Sequence, residues 1–528
     1  MTAPLPAVPP AVQMRGIHKR FGAVQANRDV SLTVAAGTAH GIVGENGAGK
    51  STLMAVLYGF YQADSGYIEV DGQAALIGNA RQAIALGIGM VHQHFMLVET
   101  MSALDNIMLG AEPHWRLDAA RAQMRSKLDA LIVETGLEVR LDLAVCDLPV
   151  GERQRLEILK ALVRGARILI LDEPTAVLTP QETEALFATL RRLVKAGTTL
   201  LLISHKLKEI MALCDAVTVM RGGRVVLDTP VAQTSLDALA EAMVGRRVNL
   251  GRDAAAAPSR PGPELLAVQG LRWVDALGVP RLDGVSLALH AGEIVGIAGV
   301  SGNGQSELLE LLSGMLRPQA GRLQLAGKHF EAQQKWLDPS AARAAGLAHV
   351  PEDRHRCGLV LRFAAWESAV LGYQRRPRFA AAGLWRLGWM KRLVMQRRAA
   401  EMMDAYDVRP RNAALATAKF SGGNQQKLVL AREALAPETP PAVLLVGQPT
   451  RGVDIGAIEF IHQRLRAMRD AGGAILLVSS ELDEVLALAD RVLVMDRGRI
   501  AGELAIADCT ERALGRLMAG TAAQATPE

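Results

Sequence analysis

The chain has 528 residues, half of them hydrophobic and few of them aromatic, with a formal net charge of +5. That length accommodates roughly two to four domains, and so slight a positive excess does not by itself call for a polyanionic partner. Four scattered cysteines, Cys146, Cys214, Cys357 and Cys509, form no Cys-x-x-Cys pair, which argues against a disulfide framework or a zinc cluster and fits a reducing cytosol.

The opening MTAPLPAVPPAVQ is proline-rich and lacks an apolar run, so a disordered tail is expected there and not a signal peptide. No stretch reaches about 18 consecutive apolar residues, so no membrane-spanning helix is expected. Phe21, in KRFGAVQA, is either a platform for an adenine ring or an ordinary core residue. AHGIV (39–43) reads as a short buried strand, and an apolar-periodic helix starts at Lys50. Between them lies GENGAGKST: Gly44, Glu45, Asn46, Gly47, Ala48, Gly49, Lys50, Ser51 and Thr52. This fits a phosphate-binding loop. Its glycines let backbone N–H groups close around a β-phosphate, Lys50 reaches the β- and γ-phosphates, and Ser51 offers a hydroxyl to Mg2+.

Further on, Gln93 in GMVHQHF is placed to sense Mg2+ and an attacking water. The competing reading, a metal pair of His92 and His94, lacks a third ligand. Residues 100–145 turn helical in pattern. RILIL (167–171) and TLLLIS (199–204) are apolar without polar alternation, as strands covered on both faces require. The first of these ends in Asp172 and Glu173. Two carboxylates at the end of a buried strand make no sense for packing, because both lose hydration there. Asp172 is placed to hold Mg2+, directly or through water, and Glu173 to polarise the attacking water. His205, just after the next strand, is a candidate contact for the γ-phosphate.

The chain then repeats itself. GIVGENGAGKSTL (41–53) returns as GIAGVSGNGQSEL (296–308), LPVGE (148–152) as FSGGN (420–424), ILILDEPTA (168–176) as VLLVGQPTR (443–451), and LLISHKLKEI (201–210) as LLVSSELDEV (476–485). Kept order and spacing mean a duplicated domain. The expected organisation is a first domain over 1–250, a linker over 251–264 rich in Ala, Pro and Gly, a second domain over 265–520 and a tail over 521–528. Residues 363–419 of the second copy again turn helical in pattern, which suggests a helical subdomain inserted in an α/β core.

The ordered set of segments resembles the ATP-binding cassette family: Walker A (44–52), glutamine loop (Gln93), signature (148–152), Walker B (168–173) and switch histidine (His205). The resemblance covers nearly the whole chain. It implies α/β architecture with two tandem P-loop NTPase nucleotide-binding domains, each a RecA-like core with an inserted helical subdomain. The fused double cassette, with PTRGVDIGA (449–457) after the second Walker B, is similar to the ATP-hydrolysing subunit of simple-sugar and nucleoside importers. LPVGERQRLEILKAL and LDEPTAVLTPQE look nearer the nucleoside type. The resemblance further implies ATP and Mg2+ as cofactors, and integral membrane permease subunits docked near the glutamine loops. It also implies a periplasmic or lipid-anchored solute-binding protein as an indirect partner, and a peripheral position on the cytoplasmic face of the bacterial cell membrane. A soluble double-cassette ATPase acting on ribosomes or nucleic acid is the alternative. Such factors usually keep both sites and carry a long charged linker or zinc modules, which this chain lacks; neither nucleic acid nor zinc is expected.

In the family, two cassettes close head to tail and each ATP meets the signature of the opposite cassette. Sorted on that basis, the second half has lost its own pocket. Lys50 is replaced by Gln305, Gln93 by Glu352, Asp172 by Gly447, Glu173 by Gln448 and His205 by Ser480; Ser306 remains. What it shows a neighbour is intact: Ser421, Gly422, Gly423 and Asn424 in the signature, and Asp454. The first half is the converse, with a complete pocket, Pro149 in place of the signature serine, and Thr179 near the expected loop aspartate. One complete site and one degenerate site are expected. The degenerate one lacks the lysine and the acid that would neutralise phosphate charge. A basic aromatic stretch (375–398) is either a solvated helical face with its tryptophans packed inward or a surface for anionic lipid headgroups or nucleic acid.

Overall fold

The computed structural model describes residues 9–518, apart from 23, 46, 93–94, 111–116, 176–177, 179, 205, 248–260, 301 and 381–388. The chain divides into two compact units, Met1–Val248 and Asn249–Glu528. The first contains β1 (Val12–Phe21), β2 (Val24–Val34), β3 (Ala39–Gly44), α1 (Lys50–Leu57), β4 (Ser65–Val70), β5 (Gln73–Ala74), α2 (Ala80–Ala85) and β6 (Ile88–Val91). It continues with α3 (Ala103–Met108), α4 (Leu117–Thr135), α5 (Val150–Val163), β7 (Ile168–Asp172), α6 (Pro180–Lys195), β8 (Thr199–Ile203), α7 (Leu207–Leu213), β9 (Ala216–Arg221), β10 (Arg224–Pro230) and α8 (Leu236–Val244).

Two sheets form its core. One is antiparallel with order β2-β1-β4-β5, and the other has order β10-β9-β3-β8-β7-β6. In the second, β3 pairs in parallel with β8 and β9, while β7 joins β8 to β6. β3 and β8 are buried along their whole length, so their unbroken apolar runs face cover on both sides. The inner face of β1 and β2 (Met14, Val30, Leu32) shares one apolar core with Leu53 and Met54 of α1 and with Ile42 and Ile170 of the parallel sheet. Since β3, β7 and β8 run parallel, the turns that follow them emerge at one edge, where ligands of open α/β sheets bind.

The second unit repeats this plan. Its elements are β11 (Glu264–Val274), β12 (Pro280–His290), β13 (Ile294–Ala298), α9 (Gln305–Leu312), β14 (Ala320–Leu325), β15 (Lys328–Glu331), α10 (Pro339–Ala344) and β16 (Leu347–Val350). They continue with α11 (Ala365–Ser368), α12 (Arg392–Ala405), α13 (Gly422–Leu435), β17 (Val443–Gly447), α14 (Ile455–Asp470), β18 (Ala474–Val478), α15 (Leu482–Leu488), β19 (Arg491–Asp496), β20 (Arg499–Ala505) and α16 (Glu511–Met518). The sheet orders are β12-β11-β14-β15 and β16-β17-β18-β13-β19-β20. Trp366, Tyr373, Phe379 and Met402 pack α11 and α12 onto α13 and the sheet.

The helical expectation for 100–145 holds only over α3 and α4. The chain leaves helix at Gly136, whose φ of +70° is left-handed, and 137–149 is loop with one short turn at Val145–Asp147. The expectation for 363–419 likewise shrinks to α11 and α12. The antiparallel sheets were not foreseen, and β11 already starts at Glu264, the last residue of the expected linker.

Candidate functional site

In the first unit the loop between β3 and α1 is shaped by glycine. A Cβ at Gly49 (φ +98°) would lie 2.3 Å from the Ala26 carbonyl oxygen, and one at Gly44 would lie 2.2 Å from that of Met220. Only glycine lets the loop close that tightly. Lys50 opens α1 and is buried; its Nζ donates to the carbonyls of Gly44 at 2.6 Å and Glu45 at 3.0 Å, bridging the loop's rim. Gly47, Ala48, Ser51 and Thr52 lie on the same loop and first helical turn.

Asp172 ends β7 opposite this turn and hydrogen-bonds Ser51. Burial, and then the adjoining Glu173 carboxylate, push the Asp172 carboxyl up to about 6, against the pull of Lys50 and the Ser51 hydroxyl. Lost hydration and a second negative charge beside it both disfavour the charged form of this carboxyl. Glu173 takes a left-handed φ of +48°, and its amide donates to Ile203 at 2.9 Å. Lys50, Ser51, Asp172 and Glu173 therefore converge at one edge of the sheet. Phe21 ends β1 with 42% of its surface exposed, its ring edge-on to Tyr61, so the core alternative for it fails. Asn46, Gln93, His94, Thr179 and His205 lie outside the described residues.

A buried carboxylate that the sequence reading passed over braces this edge. Glu209 of α7 accepts from Thr175 Oγ1 at 2.5 Å and from Ser204 Oγ at 3.0 Å. It thereby ties the segment after Glu173 to the segment that precedes His205. Its signal was an acid on the inward face of a short helix.

The second unit keeps the backbone and rewires the side chains. Gln448 has φ +47°, and its amide donates to Val478 at 2.8 Å, as Glu173 does to Ile203. Among the described residues Gln305 reaches only the Val300 carbonyl, at 3.1 Å. Ser306 Oγ donates to Glu352 at 2.5 Å, and Gln448 Oε1 accepts from the amide and hydroxyl of Ser480 at 3.1 and 3.0 Å. The groups left from a nucleotide pocket are bonded to one another. Where the first unit has Asp172, a Cβ on Gly447 would stand 2.9 Å from both the Glu352 amide nitrogen and Leu309 Cδ1. Gly447→Asp should therefore cost about 1–3 kcal/mol, the range for overfilling a packed site. The expected result is a fall in Tm of several degrees, with no second ATPase site in a nucleotide titration.

The two signature segments differ in capping. Ser421 caps α13: its Oγ accepts from Asn424 N at 3.4 Å and Asn424 Nδ2 at 2.8 Å, and its own proton has no acceptor among the described residues. Asn424 Oδ1 in turn accepts from Arg409 N at 2.6 Å. Gly422 and Gly423 complete the first turn, and Asp454 caps α14 by accepting from Ala457 N at 2.9 Å. In the first unit Pro149 caps α5 without any side-chain bond.

The ABC transporter family model matches residues 27–176 and 282–451, which span both phosphate loops and both signatures. The chain belongs to the ABC transporter family. As such it binds and hydrolyses ATP. The chain is 44% identical over 97% of its length to the guanosine import ATP-binding protein NupO of Bacillus subtilis (strain 168), covering 97% of that protein. It is 41% identical over 96% of its length to the nucleoside import ATP-binding protein NupA of Lactococcus lactis subsp. cremoris (strain MG1363), covering 98% of it. A ribose import ATP-binding protein, RbsA of Chromobacterium violaceum, is 39% identical over 95% of this chain and 96% of its own. Among solved structures, the complex of archaeal ribosomal stalk protein aP1 with the ribosome recycling factor aABCE1 superposes with a TM-score of 0.64. That match spans 95% of this chain and 92% of the other at 17% identity, which carries the fold alone.

A groove of about 330 Å3 on this ABC subunit's first unit is lined by Tyr58, Phe60, Met90, His92 and Met96, with Glu157 and Lys160 at its polar side. His92 packs against the paired rings of Tyr58 and Phe60, and burial lowers its pKa. In the basic stretch, Trp389 is 82% and Leu393 72% exposed, so the inward-packed alternative fails for Trp389. Trp385 lies outside the described residues.

Proposed function

We propose that this chain energises uptake of a nucleoside or simple sugar, working peripherally at the cytoplasmic face of the membrane through integral permease subunits. A separate solute-binding protein delivers the solute. ATP is turned over at one complete site, formed by the first unit's pocket and the second unit's signature. The observation that carries this reading is the contrast between the two pockets. Lys50, Ser51, Asp172 and Glu173 converge in the first, whereas Ser306–Glu352 and Gln448–Ser480 bind each other in the second.

In this reading Lys50 and the loop amides hold the phosphates, and Phe21 offers its exposed ring to the adenine. The raised carboxyl of Asp172 beside the Ser51 hydroxyl fits Mg2+, with Gln93 as a further oxygen donor. Bound there, the ion neutralises phosphate charge. Glu173 orients and polarises the attacking water, and His205 donates to the γ-phosphate. Ser421, Gly422, Gly423 and Asn424 present one hydroxyl and a helix N-terminus to the same phosphate. The solute class rests on the guanosine, nucleoside and ribose importers among the relatives. Uptake assays with labelled guanosine and ribose in vesicles holding the assembled transporter test it; uptake of neither, with ATPase activity intact, would reject the solute assignment.

No described helix is long and apolar enough to cross a membrane, so attachment is assigned to the permease, for which the groove lined by Tyr58, Phe60, Met90 and Met96 offers an apolar seat. Co-expressed with its permease, the chain should sediment with membranes; expressed alone, it should not. Tight sedimentation without the permease would shift attachment to the exposed Trp389, Leu393 and their basic neighbours.

A further inference from the structure

The second unit's signature is gripped from behind by a clamp that none of the cassette motifs contains. After Glu352, the Asp353 carboxylate accepts from the amides of His355 at 2.9 Å and Arg356 at 3.1 Å, starting a π-helical turn over Arg354–Gly358. Such turns are rare, and they re-aim side chains. This one sends Arg354 and His355 toward α13 and the loop after β17. Arg354 Nη1 donates to the Arg451 carbonyl at 2.8 Å, and its Nε to Gln425 Oε1 at 3.4 Å. His355 Nε2 lies 2.8 Å from the same oxygen. The Gln425 amide nitrogen is occupied with the carbonyls of Thr417 and Phe420, both at 3.2 Å, so the oxygen must be the acceptor and His355 the donor.

The fit around the guanidinium is close. A Cβ on Gly422 would stand 2.8 Å from Arg354 Nη2 and 2.7 Å from the Gly452 carbonyl, and one on Gly423 would stand 3.0 Å from Asp454 Oδ2. One arginine thus touches the signature turn and the loop that carries Asp454. Farther along α13, the buried Glu433 is held by Arg432 at 2.7 Å and by the Tyr373 hydroxyl at 2.8 Å. The helix is therefore anchored at both ends, and the clamp sets its functional one. On the other side, Glu352 is bonded to Ser306 of the phosphate loop, so a three-residue span links the degenerate pocket to the signature. Among the described residues the first unit lacks this device. Phe95 and Met96 follow Gln93 where Arg354 and His355 follow Glu352. There, Arg153 braces the carbonyls of Leu148 and Cys146, both at 2.9 Å, and Arg140 holds the Glu152 carboxylate from the signature's exposed side. The clamp accompanies the intact signature and not the intact pocket.

We infer that Arg354, with His355, is a positioning residue for ATP hydrolysis: it fixes Ser421–Asn424 and Asp454 in the arrangement the complete site needs. This rests on the reading that the second unit's signature serves the first unit's pocket. The test uses the full chain assembled with its permease. R354M should lower kcat by roughly 10- to 100-fold, the scale for losing a supporting partner of a reacting group. Binding of a fluorescent ATP analogue to the first unit and the Tm should stay near wild type. R354K, which can still reach the Arg451 carbonyl, should recover part of the loss. A merely structural arginine would lower Tm with activity, and that result overturns the inference, as does unchanged kcat in R354M. If R354M does not fold, R354K carries the test: reduced kcat at unchanged KM supports the role, and full activity overturns it. Ser421→Ala run in parallel separates the two levels. If it impairs turnover while R354M does not, this inference alone falls; if it leaves turnover intact, the crossed-site reading falls.

Discussion

Replacing Glu173 by glutamine should lower steady-state ATP turnover of the assembled transporter by about 10²-fold or more, the scale for losing a positioned base. The glutamine is nearly isosteric. The left-handed backbone at this position is held by the amide bond to Ile203, so geometry survives and only the charge is lost. The chain itself carries this substitution at Gln448, on the same backbone, and there the amide oxygen has turned to Ser480. Gln305→Ala should leave turnover within about twofold, because Gln305 carries no charge for a phosphate and its amide is turned to the Val300 carbonyl. Comparable losses from the two changes would rule out a single catalytic pocket.

Ser421→Ala should impair hydrolysis, whereas Pro149→Ala should leave the rate within a few-fold. A donor aimed at developing charge in a preorganised site is commonly worth about 2.7–4 kcal/mol. The loss at Ser421 should fall below that, because the backbone amides at the start of α13 remain. Removing the hydroxyl also removes the cap that accepts from Asn424, so Tm is read alongside the rate. The double change Ser421→Ala with Glu173→Gln should be markedly non-additive, since both act on one event. If Pro149→Ala were the more damaging, the pairing of signatures with pockets would have to be reversed.

The sequence disclosed the parts that depend on local pattern. β3, β7 and β8 are buried on both faces and therefore appear as unbroken apolar runs, and the turns after β3 and β7 appear as breaks in them. β1 and β2 stayed hidden because their pairing shifts register between Met14 and Ile17 and twice more beyond, which breaks the alternation a reader looks for. The helical insertions were drawn too long because apolar spacing continues past Gly136 into loop. At the site, the lost residues of the second pocket were legible one by one. That Ser306 would turn to Glu352, and Gln448 to Ser480, was not, because these pairs lie 46 and 32 residues apart and meet only in the fold. The Arg354 clamp was invisible for the same reason; the inward face of α7 flags Glu209, but its partners Thr175 and Ser204, 34 and 5 residues away, meet it only in the fold.

The crowding at Gly447 bears on history as well as mechanism. An aspartate regained there by a single codon change meets the Glu352 backbone and Leu309. Making room means moving the very span that leads to Arg354 and the signature. If only the first pocket turns over ATP and the second unit's signature serves it, as proposed, a mutational path back to two working pockets crosses intermediates that weaken the one in use. On that reading, lopsidedness is a trap that single substitutions at Gly447 do not open.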